Sequence, residues 1–158
     1  MAKYIAAEKV EVWVVPTITN VSAPTATELN AGTRLTTFIR GGVSIDFASN
    51  LVDSATLESA FNSTSPGTYG GGLNSLNGVL RDNAADNAWN ALPRDTAGYL
   101  VIQLGTATGT AWASGDVVDV YPWQVVSRNT GDLARDQLVT FDVGFAITSV
   151  PTFGATAT

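Results

Sequence analysis

Gly98-Tyr-Leu-Val-Ile-Gln-Leu-Gly105 and Asp116-Val-Val-Asp-Val-Tyr-Pro-Trp-Gln-Val-Val-Ser127, joined by a loop of small residues, decide how the chain must fold. In the first, Leu100, Ile102 and Leu104 alternate with Tyr99, Val101 and Gln103, the period of two that marks a half-buried strand. The second is apolar on both faces. Val118, Val120 and Val126 lie on one side, and Val117, Tyr121, Trp123 and Val125 on the other. An antiparallel sheet commonly leaves one face wet. A strand greasy on both sides therefore needs a cover, which is either a second layer of the same domain or a neighbouring subunit.

Outward from that pair, the pattern stays β-rich. Lys9 to Ile18 alternates Val10, Val12 and Val14 with Glu11, Trp13 and Val15, and Pro16 ends it or puts it at a sheet edge. Ala23 to Gly32 reads as a short helical turn, because Thr25 and Glu28 have capping-box spacing and Gly32 is a suitable stop. Leu35–Arg40 and Val43–Ala48 flank Gly41-Gly42, which predicts a hairpin. A further short strand is expected over Leu51–Leu57, and a weaker one over Leu73–Arg81. Residues 59–72 hold turn formers without periodicity and read as a long glycine-rich loop. A helix is expected from Asp82 or Asn83 to about Leu92, with Ala85, Ala88, Trp89 and Leu92 as its packed stripe and Pro93 as its stop. In Leu138–Thr148, Val139, Phe141, Val143, Phe145 and Ile147 make an unbroken apolar face opposite Thr140, Asp142, Gly144, Ala146 and Thr148. The tail, 149–158, is small and irregular and is expected to be flexible or ordered by a neighbour.

The fold class that follows is mainly β: a two-sheet β-sandwich or barrel with one flanking α-helix at about 83–92, in a single domain over 1–158. The chain is long enough to bury a core without staples.

Composition removes most chemistry. The chain has no Cys and no His, so thiolate nucleophiles, imidazole bases and most zinc or copper sites are excluded. Asp116 and Asp119 face opposite sides of a strand and cannot pair through that spacing. Asp82 and Asp86 read as a helix cap and a first-turn acid, and Asp82 to Asp86 lacks the alternation of a calcium loop. Gly70-Gly71-Gly72 is followed by neither a Lys nor a helix pattern, which argues against a phosphate loop. The sequons at Asn20 and Asn62 lack a secretory signal, since Met1–Lys9 has no continuous apolar run. No apolar run approaches the ~20 residues of a membrane span. A soluble protein made in the cytoplasm is expected, with no enzymatic activity, cofactor or metal. A net charge of −6 without a basic patch speaks against specific nucleic-acid binding. A charged fraction of only 14% suits either a surface consumed by other subunits or a secreted β-protein.

The order of these features resembles the major tail (tail tube) proteins of long non-contractile-tailed bacteriophages, especially those of actinobacterial phages. Four stretches carry the resemblance: Val12–Ile18 followed by Ala23–Thr33 and Leu35-Thr36; Pro66–Gly72 with Asn87-Ala88-Trp89; Gly98–Ile102 with Gly115–Pro122; and Phe145–Thr148 with Pro151. Arg34 departs from it, standing where an acid is expected before the Leu-Thr pair. The resemblance implies hexameric rings that stack into a hollow virion tube for DNA delivery, with the inner sheets of six subunits joined into one barrel. It implies synthesis in the host cytoplasm, and as partners further copies of the chain together with tape-measure and tail-terminator or tip proteins. DNA would pass along an acidic wall without specific binding.

On that reading Phe61, Pro66, Tyr69, Gly70 and Gly71 belong to an inter-subunit or inter-ring loop. Val117, Tyr121, Pro122 and Trp123 mark a strand that meets a neighbour, and Thr140, Asp142 and Gly144 line the channel. The alternative is a carbohydrate- or receptor-binding β-sandwich of an adhesin or secreted protein. That reading needs exposed aromatics, and Trp112, in the 106–114 loop, is the tryptophan expected to be exposed.

Overall fold

The computed structural model describes residues 7–58, 60–61, 63–82, 85–105 and 109–158. Among the described residues, ten strands and two short helices follow in the order β1 Val10–Val15, α1 Ala26–Asn30, β2 Thr33–Arg34, β3 Ile39–Ser44, β4 Phe47–Asp53, β5 Thr64–Gly71, β6 Asn74–Leu80, α2 Asn87–Ala91, β7 Ala97–Leu104, β8 Val117–Thr130, β9 Thr140–Ile147 and β10 Thr152–Thr156. The mainly β fold read from the sequence is what the chain adopts. One antiparallel sheet runs β2-β1-β7-β8-β9-β6-β3, with β10 also on β8, and β4-β5 forms a second, two-stranded sheet.

The large sheet curls on itself. Val12 and Val14 of β1 share one core with Leu76 and Val79 of β6, and Ile39 and Val43 of β3 pack on it although β3 ends the sheet opposite β1. The hinge is the fourteen-residue β8. Its middle pairs with β7, its first residues with β10 and its later ones with β9. The register slips by one residue between Val125 and Ser127, a bulge that bends the strand. Neighbouring strands slip too, β3 between Ile39 and Gly42 and β6 between Leu76 and Val79.

Gly41-Gly42 is therefore not the turn of a hairpin but part of the β3 bulge. A Cβ on Gly41 would lie 2.7 Å from the Asn77 carbonyl oxygen, and Gly42 has φ +93°, so both positions call for glycine.

The main core holds Trp123, Phe141 and Leu100 at zero exposure, with Trp123 edge-on to Phe145 at 5.0 Å. A second core lies on the other face of β1, β7 and the first half of β8. There Val15, Val101, Val118 and Val120 are covered by Leu29 of α1, Ile18, Trp112, Ala155 and Ala157. The half-buried β7 of the sequence reading is thus buried on both faces, from Leu100 to Gln103. The question posed by the doubly apolar strand is answered within the chain, by its own α1 and C-terminal residues.

Three expectations need correction. Residues 149–158 are not a loose tail: β10 pairs with β8, and the Thr158 carbonyl accepts the Ala26 N–H at 2.8 Å while its own N–H bonds Pro24. Residues 64–71 are not a structureless loop but strand β5. The flanking helix is only Asn87–Ala91, because Asp86 adopts φ 48° and its carboxylate is held by Arg81 instead of capping. Asn83, one of the two expected caps, lies outside the described residues. Ala88 and Leu92 are nonetheless buried as the stripe required. The other helical turn forms as read, with Thr25 accepting from the Glu28 N–H and Glu28 reaching back to the Thr25 N–H.

Candidate functional site

The chain's most unusual surface is the β4-β5 ribbon. It leaves the body at a clamp in which the Gly72 N–H bonds the Asp46 carbonyl and the Asp46 N–H bonds the buried Asn74 side chain, both at 2.8 Å. From that base, all residues of β4 and β5 are exposed. Leu51, Leu57, Phe61 and Tyr69 are all at least 61% exposed. A lone two-stranded ribbon is marginal in water, and its outer edges leave backbone groups unpaired. Such an arm suits pairing with another chain. Of the residues singled out in the sequence, Pro66, Tyr69, Gly70 and Gly71 lie on β5 and Phe61 in the turn region before it. Leu51, Val52 and Leu57 belong to the same exposed set and were missed. They face no core, so no alternation flags them.

The second surface is the outer face of β3, β6, β9 and the later half of β8. Cross-strand partners place Ser44, Ser75, Gly144 and Ser127 in one row across four strands. Phe141, Val143 and Phe145 point into the core, so strand alternation brings Thr140, Asp142 and Gly144 together on the outer side. Asp142 also has a structural duty, since one of its carboxylate oxygens accepts the Gly78 N–H at 2.8 Å and steadies the β6 bulge. Gly144 is tight against its neighbour: a Cβ there would lie 2.5 Å from the Ser127 hydroxyl.

A model of the phage tail tube protein family matches residues 1–158. The chain belongs to that family. No curated protein sequence is significantly similar to it. Among solved structures, a chain from the cryo-EM structure of the anti-feeding prophage baseplate, 6-fold symmetrised, matches with a TM-score of 0.52 at 14% identity, over 94% of this chain and 95% of that one. That likeness concerns the fold. A tail tube family member is a structural component of a phage tail, and the arm and the bare face are the surfaces on which such a role can rest.

The interface strand inferred from the sequence fares differently. Trp123 is fully buried and Tyr121 nearly so, both in the chain's own main core, so they offer no surface to a neighbour. Val117 is exposed and Pro122 half-buried. Nor does Pro122 mark a sheet edge, because β8 is central. Its carbonyl accepts the Thr148 N–H at 2.9 Å, on the side where the partner strand changes from β10 to β9. An N–H there would point to that same junction, so the proline removes no ladder bond. Trp112 is also not exposed. It packs edge-on against Trp13 at 5.7 Å inside the second core, which removes the aromatic on which a carbohydrate-binding reading depended.

In this tail tube family member the Glu11–Arg34 ion pair joins a buried carboxylate to a half-buried guanidinium. Glu11, 3% exposed, accepts from Arg34 at 2.8 Å, Thr36 at 2.8 Å, the Trp13 indole at 2.9 Å and the Gly109 N–H at 2.6 Å. Burial alone would raise its carboxyl. The bonds from Arg34, Thr36, Gly109 and Trp13 outweigh that and hold it at about 2. Arg34, which stands where the resemblance leads one to expect an acid, is therefore the counter-ion of Glu11. This cluster ties β1 to β2 and to the loop after β7. Among the described residues, no group of three or more acidic side chains is placed to hold a metal, and no helix is long and apolar enough to cross a membrane.

Proposed function

We propose that this chain is the repeating subunit of a phage tail tube of the non-contractile, actinobacterial-phage type, in which rings of six subunits stack to enclose a channel for DNA delivery. The observation that carries the reading is the arm, a fully exposed ribbon on a tightly clamped base in a chain of the tail tube family. An exposed ribbon is a liability for a monomer and an asset for a polymer. Six-fold symmetry is favoured by the baseplate relative, whose structure is 6-fold symmetrised.

In this reading the arm, with Phe61, Pro66, Tyr69, Gly70 and Gly71, links one ring to the next. The Thr140, Asp142 and Gly144 face, extended by Ser44, Ser75 and Ser127, lines the channel. Its side chains are small, and Asp142 adds negative charge, so phosphates meet no array of cations and DNA slides without being held. The outer edge of β3, the exposed Val117 and the half-buried Pro122 serve contacts within a ring. Tape-measure and terminator or tip proteins are the remaining partners. The subunit is made in the host cytoplasm and ends in the virion.

Negative-stain electron microscopy of the purified chain tests this. Rings or tubes with six-fold end views are expected. A monodisperse monomer at high concentration, without tubes, would refute it.

A further inference from the structure

We infer that the α2 end of the subunit, formed by Arg81, Ala85, Leu138 and Val139 with Leu133 nearby, is the seat that receives the arm of a second copy stacked head to tail. This rests on reading the arm as the link between rings, and adds where the link lands.

The geometry separates arm and seat to opposite ends of one sheet. β6 starts at Asn74, beside the arm's base, where it pairs with Phe145, and ends at Leu80, where it pairs with Thr140. Seven residues of strand lie between, about 20 Å. Immediately beyond Leu80 and Thr140 come Arg81 and Val139. A two-fold contact would match arm with arm and stop at a dimer, whereas an open polymer needs a heterologous contact between different surfaces. In a polar stack the arm's end therefore faces the α2 end of the next copy.

The chemistry of the two ends fits. Arg81, Ala85, Asp86, Leu138 and Val139 line a cleft of ≈ 690 Å³. Leu133 and Leu138 are 74% and 61% exposed, and Val139 is exposed too. The arm brings Leu51, Leu57, Phe61 and Tyr69, also exposed, so the contact would bury apolar surface on both partners.

The chain has no native cysteine, so paired cysteines give a clean test. Tubes of a Leu57→Cys/Leu138→Cys variant, oxidised and run without reductant, are expected to give a ladder of covalent multimers. The Leu57→Cys/Leu104→Cys variant, with its second thiol in the cleft that Leu104 and Ile45 line beside the arm's own base, is expected to give none. A ladder with Leu104 alone, or tubes with no ladder in either variant, overturns the seat and leaves the arm's linking role intact. As a second measurement, Leu138→Asp should leave single rings in place of tubes, and tubes of wild-type length would contradict the seat. An arm-less chain, with residues 47–71 replaced by Asn-Gly between Asp46 and Gly72, separates the two readings. If that chain still stacks, the linking role itself fails.

Discussion

The outer face of the large sheet changes character halfway across. Over β1, β7 and the first half of β8, the outer positions are Val15, Val101, Val118 and Val120, and the chain covers them with α1, Trp112 and its C-terminal alanines. Over the later half of β8, β9, β6 and β3, the outer positions include Ser127, Thr140, Asp142, Gly144, Ser75 and Ser44, and no element of the described chain lies over them. Strand geometry is shared, so the side chains make the difference. Where outward residues are aliphatic, leaving them wet would forfeit about 25 cal/mol per Å², and the fold supplies a lid. Where they are small and polar, a bare face costs little and remains free for another purpose.

Substitutions that cross this divide should differ sharply in their effects. Trp123→Ala empties the main core beneath the bend of β8 and should cost about 3–5 kcal/mol in chemical denaturation. Glu11→Ala, which strands Arg34 beside a partly buried site on the covered half, should cost about 3 kcal/mol by the same measurement. Because the Glu11 carboxyl is held at about 2 when folded against 4.5 in its unperturbed state, its contribution is complete above pH 4.5. It is lost as pH falls toward 2, and the Glu11→Ala chain should show a flatter acid limb in a pH titration of stability. Leu29→Ala, which thins the lid itself, should cost about 2–3 kcal/mol.

On the bare half the expected effects are small. Ser127→Ala and Thr140→Ala should stay within about 0.5 kcal/mol. Asp142→Asn keeps an acceptor for the Gly78 N–H while removing the charge, so it should leave the melting temperature nearly unchanged. Asp142→Lys removes that acceptor as well, so an effect of Lys on phage infectivity counts as channel electrostatics only where the folded chain still assembles. A destabilisation of 2 kcal/mol or more from Ser127→Ala would erase the distinction between the two halves.

Elements with one face of large buried side chains, or with a side-chain cap, are the more legible part of the sequence. Alternation in β1 and β9 and the Thr25/Glu28 capping box report burial and backbone satisfaction directly, and these elements appear where the pattern put them. The arm was read as a loop because a ribbon with no buried face has no hydrophobic period. β10 was read as a flexible tail because Ala155 and Ala157 are too small to announce a buried face, although they alternate. Gly41-Gly42 suggested a turn, and only the facing bulge at Asn77-Gly78 explains why the strand runs through. A doubly apolar strand points to a neighbour at Tyr121 and Trp123 when read alone, whereas the chain's own α1 and C-terminal residues cover one face and its core the other. Thr140, Asp142 and Gly144 do share a face, since strand alternation is local and survives any tertiary arrangement.

In a stack of rings the bare half is expected to face the channel and the covered half the outside. A helical reconstruction by cryo-EM of tubes assembled from the purified chain tests it most directly. Asp142 and the Ser44–Ser75–Gly144–Ser127 row are predicted on the lumen wall, with α1 and β10 outside. A lumen lined by α1 and β10, with Asp142 on the exterior, would contradict it.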